Sequence, residues 1–175
     1  MRFVYPALLA VAALAAGVWA APILKRTPPE VDTILSMADL KVVTVEVRPM
    51  PRTLRGRMIT ATRIDKIFRK ELEAIGLEVQ EDRADNIPHL VLSVRAATDT
   101  RQPGVMALYT LIAVYQDVDL KRLDRSMRAL TDITVDVHLT TVKKAPGAVA
   151  SRVRHSVQIK GRLIAKATSV FRGMP

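Results

Sequence analysis

Residues 63–80, RIDKIFRKELEAIGLEVQ, decide the fold of this chain. The apolar residues of this stretch recur at helical spacing on one face: Ile64, Ile67, Phe68, Leu72 and Ile75. The pattern predicts an N-cap at Thr62, with Asp65 three residues later as a weak capping box. Gly76 suits the position after the helix, where a left-handed conformation is needed. Leu77 and Val79 then begin a strand, so helix and strand adjoin.

Strands are predicted on both sides of this helix. Residues 42–47, VVTVEV, alternate in polarity. In residues 89–95, HLVLSVR, every second residue is apolar and is expected to point inward: Leu90, Leu92 and Val94. A long strand is predicted for 105–120, after a turn at 98–104. Another, at 133–140, alternates Ile, Val, Val and Leu with Thr, Asp, His and Thr, and its His138 is expected to point outward. The segment 121–130 between them is predicted to be a charged connection.

The chain is predicted to close with a helix. Its apolar stripe has spacings of four and seven, after a break at Pro146-Gly147 and a candidate cap at Ser151: Val149, Val153, Val157, Ile164 and Phe171. The order of elements predicts an α+β two-layer sandwich, with a mostly antiparallel sheet of four to five strands and two helices on one face. An N-terminal hydrophobic helix is expected to precede it.

The N-terminal segment predicts export. Residues 3–24 contain no charge, Arg2 precedes them, and Lys25 and Arg26 follow. One interpretation is a signal peptide cleaved after Ala20, and the other is an uncleaved membrane anchor. The placement of the Val-Trp-Ala cleavage box favours cleavage. Residues 21–40 are then a linker and 41–175 a single domain in the periplasm or cell envelope. The chain has no cysteine, so neither disulfides nor a cysteine-linked lipid anchor are expected.

The charge predicts an anionic partner or a solvated basic surface. The net charge is +10, and no acidic residue follows Asp136. Export makes an anionic lipid or polymer, or an acidic protein, a better partner than nucleic acid. The candidate residues for such a surface are Arg152, Arg154, Lys160, Arg162, Lys166, Arg52, Arg55 and Arg57.

No pattern in the chain predicts catalysis. His89, His138 and His155 lack metal-ligand spacing, and no serine-hydrolase or phosphate-binding motif is present. Asp117 and Asp119 share a strand face, and we interpret them as a solvated strand end. We therefore expect no enzyme activity, no cofactor, no metal and no small-molecule substrate.

A resemblance is carried by residues 42–95, with VVTVEV, the helix RIDKIFRKELEAIG, LEVQ and HLVLSV in that order. This order resembles the β-α-β-β modules of the curli-secretion lipoprotein, the N-terminal domain of the Tol–Pal propeller protein and the lipopolysaccharide-assembly lipoprotein. The whole chain also resembles an uncharacterised family of small exported bacterial α+β proteins. The resemblance implies a non-enzymatic module that docks onto envelope proteins through a sheet edge or an open sheet face.

The expected function is that of an exported, non-catalytic accessory or adaptor protein of the bacterial cell envelope. The strand 105–115 is apolar on both faces, which is typical of a strand covered by helices on one side and by a partner on the other. The partner-facing candidates are Leu108, Tyr109, Leu111 and Tyr115. The alternatives are a membrane-anchored subunit of a larger complex and a binder of anionic membrane surfaces through the C-terminal helix. The oligomeric state stays open.

Overall fold

The computed structural model of the chain describes residues 36–55, 59–81, 86–120 and 123–173. The predicted N-terminal hydrophobic helix and Arg57 lie outside these residues. The elements are β1 (Val42–Val47), α1 (Arg52–Arg55), α2 (Ala61–Ala74), β2 (Glu78–Gln80), β3 (His89–Asp99), β4 (Gln102–Leu120), β5 (Arg125–Thr141) and α3 (Ala145–Arg172).

The strands form one five-stranded mixed sheet in the order β2-β1-β3-β4-β5. β1 runs parallel to both of its neighbours, and α2 is the crossover between β1 and β2. β3, β4 and β5 are antiparallel and follow one another through short turns. β2 and β5 are therefore the two edges of the sheet among the described residues.

The helices α2 and α3 pack against each other and cover one face of the sheet. The core between the two layers holds Phe68 and Leu72 of α2, Val153 and Val157 of α3, and the inward residues of β3 and β4. The predicted α+β two-layer class is confirmed. Met37, within the predicted linker, is also buried in this core, so the packed unit begins earlier than residue 41.

The ends of α2 follow from two residues. Thr60, in an extended conformation, accepts a hydrogen bond from the Arg63 amide at 3.2 Å, so the predicted cap at Thr62 is wrong by two residues. Gly76 has a φ of +88°. The amides of Gly76 and Leu77 donate to the carbonyls of Glu73 and Leu72, a Schellman motif that satisfies the last turn.

The β4–β5 hairpin is longer than the sequence predicts. β5 begins at Arg125, so residues 125–130 are strand and not a charged connection. Charged residues are accommodated there because they pair across the strands, as in the ion pair of Asp117 with Arg128 at 2.9 Å. The turn predicted at 98–104 is also shorter, because β3 extends to Asp99 and β4 starts at Gln102.

The helix α3 starts at Ala145, earlier than predicted. Pro146 lies in its first turn, where a missing amide costs nothing, so Pro146-Gly147 opens the helix and Ser151 does not cap it. Phe171, placed on the apolar stripe by the sequence, is exposed near the C-terminal end. Within the described ranges, no helix has the length and hydrophobicity needed to cross a membrane.

Candidate functional site

The face of the sheet opposite the helices, here called the open face, carries exposed apolar side chains. On β5 it presents four apolar side chains in a row. Their exposed fractions are 49% for Ile133, 54% for Val135, 55% for Val137 and 68% for Leu139. A strand with one apolar face normally buries that face in the core, and β5 does the reverse.

The register extends this row across β4. Tyr109 is paired with Val137 and is itself 42% exposed, while the half-buried Leu111 is paired with Val135. Tyr115 is half-buried and stands opposite the exposed Leu130. Three of the four predicted partner-facing residues, Tyr109, Leu111 and Tyr115, therefore lie on the open face, next to an apolar row that the prediction did not include.

Leu108 is wrong as a partner-facing residue. It lies between Ala107 and Tyr109 on β4, so its side chain points to the other side of the sheet, where it is buried in the core. The apolar character of β4 on both faces thus divides into a helix-covered row, which includes Leu108, and an open row, which includes Tyr109.

The side of β5 that faces α3 is polar. Thr134, Asp136, His138 and Thr140 stand opposite the buried or core-facing residues of β4. His138 is consequently on the helix side, and its predicted outward position is wrong. The helix presents matching polar groups to this side, and Lys160 donates a hydrogen bond to Asp132. Arg152 lies 3.7 Å from Asp136.

Lys160 is the clearest correction to the predicted anionic-surface residues. Its side chain has no exposure to solvent, so it binds Asp132 and not a lipid or polymer. Burial of the ammonium group lowers the pKa of Lys160 from its ordinary 10.5 to about 8. The Oγ atoms of Thr134 and Ser156 are buried in the same layer without hydrogen-bond partners among the described residues. The contact between α3 and β5 is therefore a polar layer inside the fold.

The other basic candidates are distributed over the helix layer. Arg152 and Arg154 pair with Asp136 and with Glu71, the latter at 3.1 Å. Arg162 and Lys166 are exposed on the outer side of α3. Arg52 and Arg55 are exposed on α1, and the Arg55 Nε donates to the Met50 carbonyl at 2.7 Å. These candidate cations therefore lie on the helix layer and α1, whereas the exposed Arg95 of β3 stands opposite Tyr109 on the open face.

A groove of about 520 Å³ lies at one end of the open face, by the β3–β4 turn. Val105, Ala107 and Leu139 contribute its apolar walls, and Thr98 and Gln102 are among its polar ones. At the β1 end of the same face, His89 is buried and its Nδ1 lies 2.9 Å from the Thr44 hydroxyl. The open face is therefore apolar along β4 and β5 and polar along β1.

The two aspartates that share a strand face are both engaged across the hairpin. Asp117 accepts hydrogen bonds from Arg128 and from the Asn86 amide, the latter at 3.1 Å. Asp119 accepts a hydrogen bond from the Ser126 hydroxyl. No three His, Asp or Glu side chains come together as a metal-binding group in the part of the chain that the structure describes.

The sequence contained a signal for the inverted orientation of β5. Lys160 lies three residues after Val157 and four before Ile164, and so falls on the apolar stripe of α3. A lysine that is buried at that position is stabilised by an acid opposite it, and on β5 the acids Asp132 and Asp136 lie on the strand's polar side. This pairing turns the apolar side of β5 outward.

Several solved structures are similar to this chain at low identity. The PelC dodecamer from Paraburkholderia phytofirmans matches with a TM-score of 0.42 and 13% identity, over 71% of this chain and 86% of its own. A minor lipoprotein from Acinetobacter baumannii matches with a TM-score of 0.37 and 11% identity, over 78% of this chain and 98% of its own. Rare lipoprotein B from Shewanella oneidensis matches with a TM-score of 0.34 and 10% identity, over 73% of this chain and 95% of its own. No family model and no curated protein matches.

Proposed function

We propose that this protein is an exported, non-catalytic adaptor of the bacterial cell envelope that binds another protein on the open face of its sheet. The observation that carries the proposal is the exposed apolar row of β5, from Ile133 to Leu139, beside Tyr109 of β4. Contiguous exposed apolar side chains on a folded domain mark sites that contact another protein, a membrane or an apolar ligand.

The energetics favour a protein partner on this surface. Complete burial of a valine or leucine side chain is worth about 1.5–3 kcal/mol, so covering residues that are about half exposed gains roughly 1 kcal/mol each. Tyr109 adds an aromatic ring with a polar end, the kind of side chain enriched at interface centres. The groove beside Val105 and Leu139 offers a place for one apolar side chain of the partner.

Site-specific photo-crosslinking in the native cells tests this proposal. A photoreactive amino acid at Tyr109 or Leu139 is expected to give a discrete heavier adduct with one other protein. The same amino acid at Arg162, which is exposed on the helix layer, is the matched control and is expected to give none. Adducts from Arg162 alone, with Tyr109 and Leu139 silent, would contradict the proposal.

A second candidate function is attachment to anionic membrane surfaces through the outer side of α3. The exposed, unburied positions of Arg162 and Lys166, together with the absence of acidic residues after Asp136, favour it. Flotation with vesicles containing anionic lipid is expected to weaken when both residues are changed to glutamate, and to fall as salt is raised. Flotation that is unchanged by the double substitution would count against this function.

A further inference from the structure

The outer edge of β5 has the features of a pairing strand. β5 spans 17 residues, and only β4 pairs with it among the described residues. Edge strands usually carry proline, outward charges or a short length that prevents association. The segment Ile133–Thr141, ITVDVHLTT, has no proline, no glycine and no lysine. Its one full charge at neutral pH, Asp136, points to the helix side.

The regular part of this edge has a defined centre. The register between β4 and β5 shifts at Thr131, which has no partner of its own between Asp132 and Leu130. Beyond that irregularity the strand runs without interruption to Thr141. The ten residues Asp132–Thr141 pair regularly with β4, and their midpoint falls between Asp136 and Val137.

The sequence on either side of Val137 is complementary to itself. An antiparallel pair places opposite residues on the same face of the sheet. With two copies centred on Val137, Val135 stands opposite Leu139 of the second copy on the apolar face. On the helix face, Asp136 stands opposite His138, an acceptor opposite a potential N–H donor, and Thr134 opposite Thr140. Each of these three pairs occurs twice because of the two-fold symmetry.

We propose that two copies of this chain associate through antiparallel pairing of their β5 edges about a two-fold axis at Val137. The two five-stranded sheets then form one sheet of ten strands, and α2 and α3 of both copies lie on the same side of it. A centre at Thr134 would oppose Asp132 to Asp136, and a centre at Asp136 would oppose that residue to itself, so like charges disfavour both. The pairing goes beyond the proposed function, because it uses the backbone edge of β5 and, apart from the contact of Val135 with Leu139 of the second copy, leaves the open face around Tyr109 accessible.

The chain has no cysteine, so single introduced thiols report the register directly. In the proposed dimer the two Val137 Cα atoms are direct cross-strand neighbours at about 4.5–5.5 Å, within the range that a disulfide accepts. The two Val135 Cα atoms are separated by four residues along the strand, about 14 Å, which a disulfide does not span. The same holds for the two Leu139 atoms.

The experiment oxidises purified full-length Val137→Cys, Val135→Cys and Leu139→Cys separately, and a mixture of the last two. All three side chains are exposed, so the substitutions are expected to leave the fold unchanged. Val137→Cys should form disulfide-linked dimer at least about ten-fold faster than either other variant alone, and the mixture should restore linkage between unlike chains. Light scattering of the unmodified chain should give the mass of two copies.

A second pair of variants tests the complementarity. His138→Asp opposes two acids across the axis and is expected to abolish the Val137→Cys linkage, whereas His138→Lys is expected to retain it. Equal linkage at Val135, Val137 and Leu139 would indicate stacking through the open face and would overturn the edge pairing. A chain that stays monomeric at tens of micromolar would overturn it too. In either case the photo-crosslinking result at Tyr109 would still decide the proposed function on its own.

Discussion

Lys160 of α3 donates a hydrogen bond to Asp132 of β5 from a position with no exposure to solvent. The pair fixes which side of β5 faces the helix, because the acid must lie on the same side of the sheet as the lysine. Neighbouring Asp136 and Arg152 lie on that side as well. The apolar residues of β5 are therefore turned to the open face by a polar requirement inside the fold.

Removing one member of this pair is expected to be far more destabilising than replacing both. Asp132→Ala leaves a buried ammonium group without its acceptor, a change that costs about 3–5 kcal/mol. The double variant Asp132→Leu with Lys160→Met removes both charges and is expected to recover most of that loss. Urea denaturation of the two variants and the unmodified chain measures the difference. Equal stability of the single and double variants would contradict the expected recovery.

The stability of the fold is expected to depend on pH through Lys160. Its pKa is about 8 in the folded protein and near 10.5 when unfolded, so between these values the unfolded chain binds more protons. Folding is therefore favoured as pH rises from 8 to 10.5. Lys160→Met lacks this titration. Between pH 7 and 10.5 the free energy of unfolding of the unmodified chain should rise by as much as about 3 kcal/mol relative to that of Lys160→Met. Urea denaturation at each pH measures the two free energies, and a difference that stays constant with pH would contradict this prediction.

The two faces of the sheet are expected to respond differently to the same substitution. Leu108→Ala opens a cavity in the core and should destabilise the fold by about 2–5 kcal/mol. Leu139→Ala removes an exposed side chain and should change stability by less than about 0.5 kcal/mol. Thermal denaturation compares them. A large loss for Leu139→Ala would mean that the residue is already covered within the isolated protein.

Two glycines offer a matched test of backbone conformation. Gly76 holds a φ of +88° at the end of α2, so Gly76→Ala is expected to destabilise by about 1 kcal/mol. Gly147 lies in α3 with open space where a Cβ would be, and Gly147→Ala is expected to stabilise by up to about 1 kcal/mol. A lower melting temperature for Gly76→Ala and a higher one for Gly147→Ala would confirm these backbone conformations, and a lower melting temperature for both variants would contradict them.

The sequence predicts the elements of this fold well because each has a clear period. The apolar residues of α2 recur at helical spacing, β1 alternates in polarity, the long apolar run of β4 indicates a covered strand, and Gly76 ends α2 as expected. The errors fall at boundaries. Thr60 and not Thr62 caps α2. The sequence does not distinguish the two, because both are threonines and only the backbone geometry shows which one is the cap. Pro146 is compatible with a loop or with the first turn of a helix.

The side of β5 that faces the core was predicted wrongly from the pattern of the strand, which placed His138 outward. A strand with alternating apolar and polar residues defines two faces but does not say which is covered, and the usual assumption is that the apolar one is. Here the neighbouring helix decides, through Lys160 and Asp132. The partner-facing set was correspondingly incomplete, since it contained Tyr109 and Leu111 but none of the β5 residues beside them.

The β4–β5 hairpin continues past the rest of the sheet. Tyr115 is the last residue of β4 that pairs with β3, so Gln116–Leu120 pairs with β5 alone. A two-stranded ribbon is marginally stable by itself. Its amide protons should therefore exchange with solvent deuterium through local opening, well before those of β3 and the central part of β4, whose exchange requires opening of the whole domain. The molecule thus carries a gradient of protection along a single pair of strands.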